Sequence, residues 1–190
     1  MKNLLIVGGT GRNVGKTELV CRIISKAAAS YEVYALKVSA IHPNEELYHG
    51  DHSKEDQACR LFEETRVDSG KDTARMLKAG AVKVFYLRSD DAGVAAGFAE
   101  FCARIPAGAA IVCESNSLSR IVLPGLFVMV KTAHGQIKPR AVLQLERADL
   151  VIVSDGTSGF PELERIEFHA DTGWTLRDSA PKLHPRLHPE

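Results

Sequence analysis

Ten residues near the start of the chain, Gly8-Gly9-Thr10-Gly11-Arg12-Asn13-Val14-Gly15-Lys16-Thr17, have the types and spacing needed to hold a polyphosphate. They follow an apolar run, Leu4-Leu5-Ile6-Val7, and lead into a segment where Leu19, Val20, Ile23, Ile24 and Ala27 recur at helical spacing. Strand, glycine-rich turn and helix start, in that order, converge backbone N–H groups on one point and aim the positive end of a helix at it. The Lys16 ammonium would reach the β- and γ-phosphates and the Thr17 hydroxyl would sit on Mg²⁺. Residues Gly9 to Thr17, with Glu18 behind them, are therefore the expected nucleotide-binding set. The strict pattern has glycine where this chain has Thr10, with Gly9 one residue earlier; Gly15-Lys16-Thr17 and the strand–turn–helix order are intact. The competing reading is a glycine-rich turn with a chance lysine.

Other reactive groups close apolar strands. Glu114 ends the run Ala109 to Cys113, where a carboxylate can hold Mg²⁺ opposite Lys16, making Lys16 and Glu114 the expected catalytic pair. A solvated residue at a strand end is the alternative. Lys37 ends a second strand in the same plane and either binds an anionic group or snorkels to solvent. Asp155 follows Val151-Ile152-Val153-Ser154; a carboxylate there can accept from the two donors on the Watson–Crick edge of guanine, or build an Asx turn in Asp155-Gly156-Thr157. Lys131, closing the strand before it, would line the same pocket. His42, His49, Asp51 and His52 have metal-binding side chains, but their spacing fits no standard zinc pattern and polar loops collect histidine.

The elements that must position these groups alternate. Strands are expected over 32–38, 82–87, 109–113, 126–130 and 150–153, and a strand within an insertion over 59–65. Helices are expected after Lys16, over 71–79, around Val94 to Ile105 and near Ala141 to Arg147. Continuous apolar strands separated by helices imply a mostly parallel sheet covered on both faces. The fold expected is a three-layer α/β domain of the P-loop nucleoside-triphosphatase type over 1–179, with a long loop or hairpin inserted at about 39–70. In such sheets ligands gather at the carboxyl ends of the strands, where Lys37, Glu114, Lys131 and Asp155 stand. The proline-rich stretch 180–190 reads as a flexible tail.

Composition narrows the function further. At 190 residues and 45% apolar content, the chain suits one well-buried domain. The 24 basic and 24 acidic side chains balance, so nucleic acid is not an expected partner. No run approaches the roughly 18 apolar residues of a membrane span, and the first strand begins too early for a signal peptide. The four isolated cysteines, Cys21, Cys59, Cys102 and Cys113, read as reduced core cysteines of a cytoplasmic protein.

The stretch Asp68-Ser69-Gly70-Lys71-Asp72-Thr73-Ala74-Arg75, followed by Ala79-Gly80-Ala81, resembles the Gly-Lys-Asp, arginine and Ala-Gly-Ala segment of the molybdopterin-guanine dinucleotide biosynthesis adapter proteins. Lys37 ahead of a loop with His42, and Ser154-Asp155 after a late apolar strand, are similar to that family too. The resemblance runs unevenly from the phosphate loop to about Asp155. It implies GTP binding with Mg²⁺, slow hydrolysis at most, a homodimer, and assistance to the molybdopterin-handling enzyme that attaches GMP. Where that family usually has Glu-Gly, this chain has Glu114-Ser115-Asn116. The spelling of Gly9 to Thr17 looks more like dethiobiotin synthetase, in which a lysine matching Lys37 helps bind a carboxylate substrate. The two families share a P-loop architecture. The readings are thus a GTP-binding accessory protein of molybdenum-cofactor biosynthesis, an ATP-dependent enzyme activating a small carboxylate, or a nucleotide-gated interaction module.

Overall fold

The computed structural model describes residues 1–40, 59–133, 137, 139–157 and 159–177. Seven strands form its main sheet: β1 (Leu4–Gly9), β2 (Val33–Ala40), β3 (Arg60–Glu64), β4 (Lys83–Ser89), β5 (Ala110–Glu114), β6 (Leu126–Thr132) and β7 (Leu150–Ser154). Their order across the sheet is β3-β4-β2-β5-β1-β6-β7. Every neighbouring pair is parallel except β3, an antiparallel edge strand on β4. All residues of β1 and of β5 are buried, which is why these strands read as unbroken apolar runs.

Among the described residues four helices cover the sheet: α1 (Lys16–Ala28), α2 (Asp72–Lys78), α3 (Val94–Ala103) and α4 (Pro139–Arg147). On one face Leu19, Val20, Ile23 and Ile24 of α1 and Met76 of α2 pack on Leu5, Val7, Val112 and Val128. On the other, Val94, Phe98 and Phe101 of α3 and Ala141 of α4 pack on Leu4, Ile6, Phe85 and Phe127. Alternate residues of β1 thus feed opposite cores, as the two-residue period of a strand requires. The result is a three-layer α/β arrangement with a mostly parallel sheet. Among the described residues no helix is long and apolar enough to cross a membrane. The four cysteines are free thiols, with Cys113 buried and the others half-buried. Burial pushes the Cys113 thiol well above its ordinary range and raises Cys21 to about 11.

Two regions differ from the sequence expectation. Strand β2 runs on through Ala40, past the expected end near Val38, because its pairing with β4 continues to Ala40 opposite Ser89. Beyond β7, where no element was expected, β8 (Ile166–His169) and β9 (Gly173–Leu176) form a separate antiparallel pair. Ile166, Phe168 and Trp174 of this hairpin enter the α1-side core and Leu176 packs partly buried against it, too few apolar positions to show a period in the sequence. The hairpin is tied to the chain start: the Trp174 backbone N–H donates to the Lys2 carbonyl at 2.9 Å, and its indole N–H to that of Asn3 at 3.1 Å. Gly173, at φ 80°, is required there, since a Cβ would lie 2.0 Å from the Lys2 carbonyl oxygen. The stretch 180–190 lies outside the described residues, as do His42, His49, Asp51 and His52.

With Trp174 only 2% exposed and its ring tilted against that of Phe168 at 5.1 Å, Trp174→Ala should lower unfolding stability by about 3–5 kcal/mol in urea denaturation. A loss below about 1 kcal/mol would show that the hairpin is not part of the core.

Candidate functional site

The turn between β1 and α1 is shaped by two left-handed residues, Asn13 at φ 56° and Gly15 at φ 95°. Gly15 is the N-cap of α1 and no side chain caps that end, so the first-turn N–H groups of a thirteen-residue helix face the turn. A Cβ at Gly15 would stand 3.1 Å from the Ser154 hydroxyl, so β7 presses directly on the turn. Gly9 answers the displaced glycine of the motif. A Cβ there would meet Cγ and Cδ of Lys16 at 2.8 Å, because the lysine stem lies back across the turn over Gly9. The Lys16 ammonium donates to the Gly11 carbonyl at 2.8 Å, crossing the hollow of the loop. Thr10 is 2% exposed and its N–H donates to the Val130 carbonyl, which anchors the turn to β6.

Beside this turn lies a chain of charges set by strand register. Val7 of β1 is opposite Glu114 of β5, and Glu114 is opposite Lys37 of β2. The three side chains therefore share one face at the carboxyl edge. The Thr17 hydroxyl donates to Glu114 Oε2 at 2.7 Å, and the Lys37 ammonium donates to Glu114 Oε1 at 3.2 Å. Lys37 also donates to Asp72 Oδ2, on the first residue of α2. Glu114 is 5% exposed, so its two buried oxygens need these hydrogen-bond partners. Burial pulls the Lys37 pKa down, but Glu114 and Asp72 outweigh it and the net direction is up, so the ammonium remains charged.

Thr17 and Glu114 thus place a hydroxyl and a carboxylate oxygen side by side next to the glycine-rich turn. A hard cation such as Mg²⁺ takes oxygen ligands, one or two of them carboxylate, with the rest from water and phosphate. The two residues fit that ion. Among the described residues no group of three or more His, Cys, Asp or Glu side chains gathers to hold a metal by itself.

The other expected residues are placed as follows. Glu18 turns away from the loop, accepting from Arg22 at 2.9 Å and from Arg75 of α2 at 2.7 Å. Arg12 and Asn13 are exposed on the turn, and Val14 is buried beneath it. Lys131 is half-buried near the end of β6. Asp155 is exposed after β7, and its Oδ1 accepts the Thr157 N–H at 2.8 Å, the geometry of an Asx turn. Lys37 is half-buried and pairs with two carboxylates of the protein, Glu114 and Asp72.

Two residues were not expected at the site. Asn116 accepts the Gly9 N–H through Oδ1 at 2.7 Å and so joins the turn to the segment after β5. Its position two residues past Glu114, at the carboxyl edge, was the available signal. Asp72 was read as a helix start, and only the fold brings it to Lys37. Asn116→Ala should remove the partner of the Gly9 N–H and speed hydrogen exchange at that amide several-fold, as a net loss of about 1 kcal/mol implies. Unchanged protection at Gly9 would contradict the tie.

Comparison of the chain with protein-family models, with curated proteins and with solved structures found no match.

Proposed function

We propose that the chain binds a Mg²⁺–nucleoside triphosphate at the turn between β1 and α1. In this reading the protein is a P-loop GTP-binding accessory protein of molybdenum-cofactor biosynthesis and hydrolyses its nucleotide slowly at most. The observation that carries the nucleotide reading is the Thr17–Glu114 contact at 2.7 Å beside an uncapped helix start and Lys16. Each part has a separate task. Backbone N–H groups of the turn and first helical turn bind the phosphate oxygens. Lys16, now on the Gly11 carbonyl, swings to the β- and γ-phosphates, exchanging a neutral acceptor for an anionic one. Thr17 and Glu114 would hold the metal, which would supply positive charge to offset that of the phosphates.

The choice of GTP rests on the family resemblance carried by Gly70-Lys71-Asp72, Arg75 and Ala79-Gly80-Ala81; Asp155, now in an Asx turn with Thr157, would have to release that contact to read guanine. Partner and pathway rest on that resemblance alone, and a homodimer belongs to the same proposal. The ATP-dependent alternative requires Lys37 to offer its charge to a substrate carboxylate. Lys37 instead pairs with Asp72 and Glu114, which favours the accessory-protein reading.

Calorimetric titration with GTP and ATP, each with and without Mg²⁺, tests the proposal. Lys16→Ala should stay folded and lose about tenfold to a hundredfold in triphosphate affinity, the value of a charge-assisted hydrogen bond. Glu114→Gln should keep metal-free affinity and lose most of the gain that Mg²⁺ supplies to the wild type. A folded Lys16→Ala protein with wild-type affinity would overturn the site assignment, and a preference for ATP would move the alternative ahead.

A further inference from the structure

Lys37 stands where a metal-bound site would least accommodate a cation. Its ammonium donates to Oε1 of the carboxylate whose Oε2 accepts from Thr17. The Lys37 side chain is 19% exposed and that of Glu114 6%, so their attraction is only partly screened. Mg²⁺ arriving at Thr17 and Glu114 meets this ammonium as a like charge. An ammonium with Glu114 as its sole partner would compete with the metal for the carboxylate.

Asp72 supplies the other partner. It meets the same ammonium from α2, and α2 is anchored despite its shortness. Met76 and Ala74 of α2 are buried in the core, and the Thr73 hydroxyl donates to Glu64 of β3 at 2.7 Å. Arg75 also lies 4.0 Å from Asp72, and Arg75 is itself held by Glu18. Asp72 can therefore take the whole of the Lys37 charge without a move of the backbone.

We infer that Lys37 and Asp72 are positioning residues for the metal site. Lys37 holds Glu114 in place when the metal is away, and Asp72 draws Lys37 off when the metal binds. Lys37 and Asp72 then form a neutral pair, and Glu114 is left to the metal, whose remaining charge is met by the phosphates. This inference rests on the Mg²⁺ reading of Thr17 and Glu114.

The test is a double-mutant cycle read by calorimetry, with GTP titrated in the presence and absence of Mg²⁺. The quantity compared is the ratio of the two affinities in wild type, Asp72→Asn, Lys37→Met and the double variant. Asp72→Asn should lower the Mg²⁺ gain about tenfold, while Lys37→Met should raise it several-fold by removing the competitor. In the Lys37→Met background, Asp72→Asn should cost less than about threefold, since there is no ammonium left to draw off. An unchanged Mg²⁺ gain in Asp72→Asn, or an equal loss in both backgrounds, would overturn the inference while leaving the nucleotide site in place. Failure of the wild type to bind GTP or ATP at all would overturn the nucleotide reading and this inference with it. Circular dichroism checks folding; if Lys37→Met does not fold, the cycle is run with Lys37→Gln.

Discussion

A carboxylate sealed into the carboxyl edge of a parallel sheet is the constraint around which this site is built. Glu114 is almost fully buried, and an ionised group in that setting is tolerated only with charge and hydrogen bonds on both oxygens. Thr17 serves one oxygen and Lys37 the other. Those partners come from α1 and β2, so the position of the helix and the register of the strand are both tied to one side chain. Displacing any of the three leaves a buried polar group without its counterpart.

Strand order makes the arrangement possible. β5 lies between β1 and β2, so Glu114 is adjacent at once to the strand that delivers the glycine-rich turn and to the strand that delivers Lys37. The apolar bodies of the three strands fix that adjacency from both faces, with α1 and α2 on one side and α3 on the other. Packing far from the carboxyl edge thereby holds polar atoms to hydrogen-bonding distance at the edge. The turn itself is held from three directions: by Val130 on Thr10, by Asn116 on Gly9, and by Ser154 against Gly15.

What the sequence made legible follows the range of the interactions. The unit from Leu4 to Ala28 is local: strand, left-handed turn and helix each carry a signal within a few residues, and the alternation of apolar strands with helices implies a mostly parallel sheet but not its strand order. Glu114 and Lys37 could be read as neighbours at one edge because strand ends in such sheets gather there. Asp72 was missed as a site residue because its partner is 35 positions away, and nothing in its neighbours marks the contact. The β8–β9 hairpin was missed because its three core residues, Ile166, Phe168 and Trp174, are too sparse to declare a period, and its anchor is the backbone of Lys2 and Asn3. Lys37 shows the limit of reading one residue at a time. A lysine closing an apolar strand suggests a ligand or solvent, whereas its partners are two carboxylates that only the tertiary structure assembles.

The most direct measurement is the map of backbone amide shifts by nuclear magnetic resonance on adding Mg²⁺–GTP to the isotope-labelled protein. The account predicts the largest changes at the amides of Gly9, Gly11 and Gly15 to Thr17, with a second group at Glu114 and Lys37. Changes confined to another surface, or none at saturating nucleotide, would contradict it.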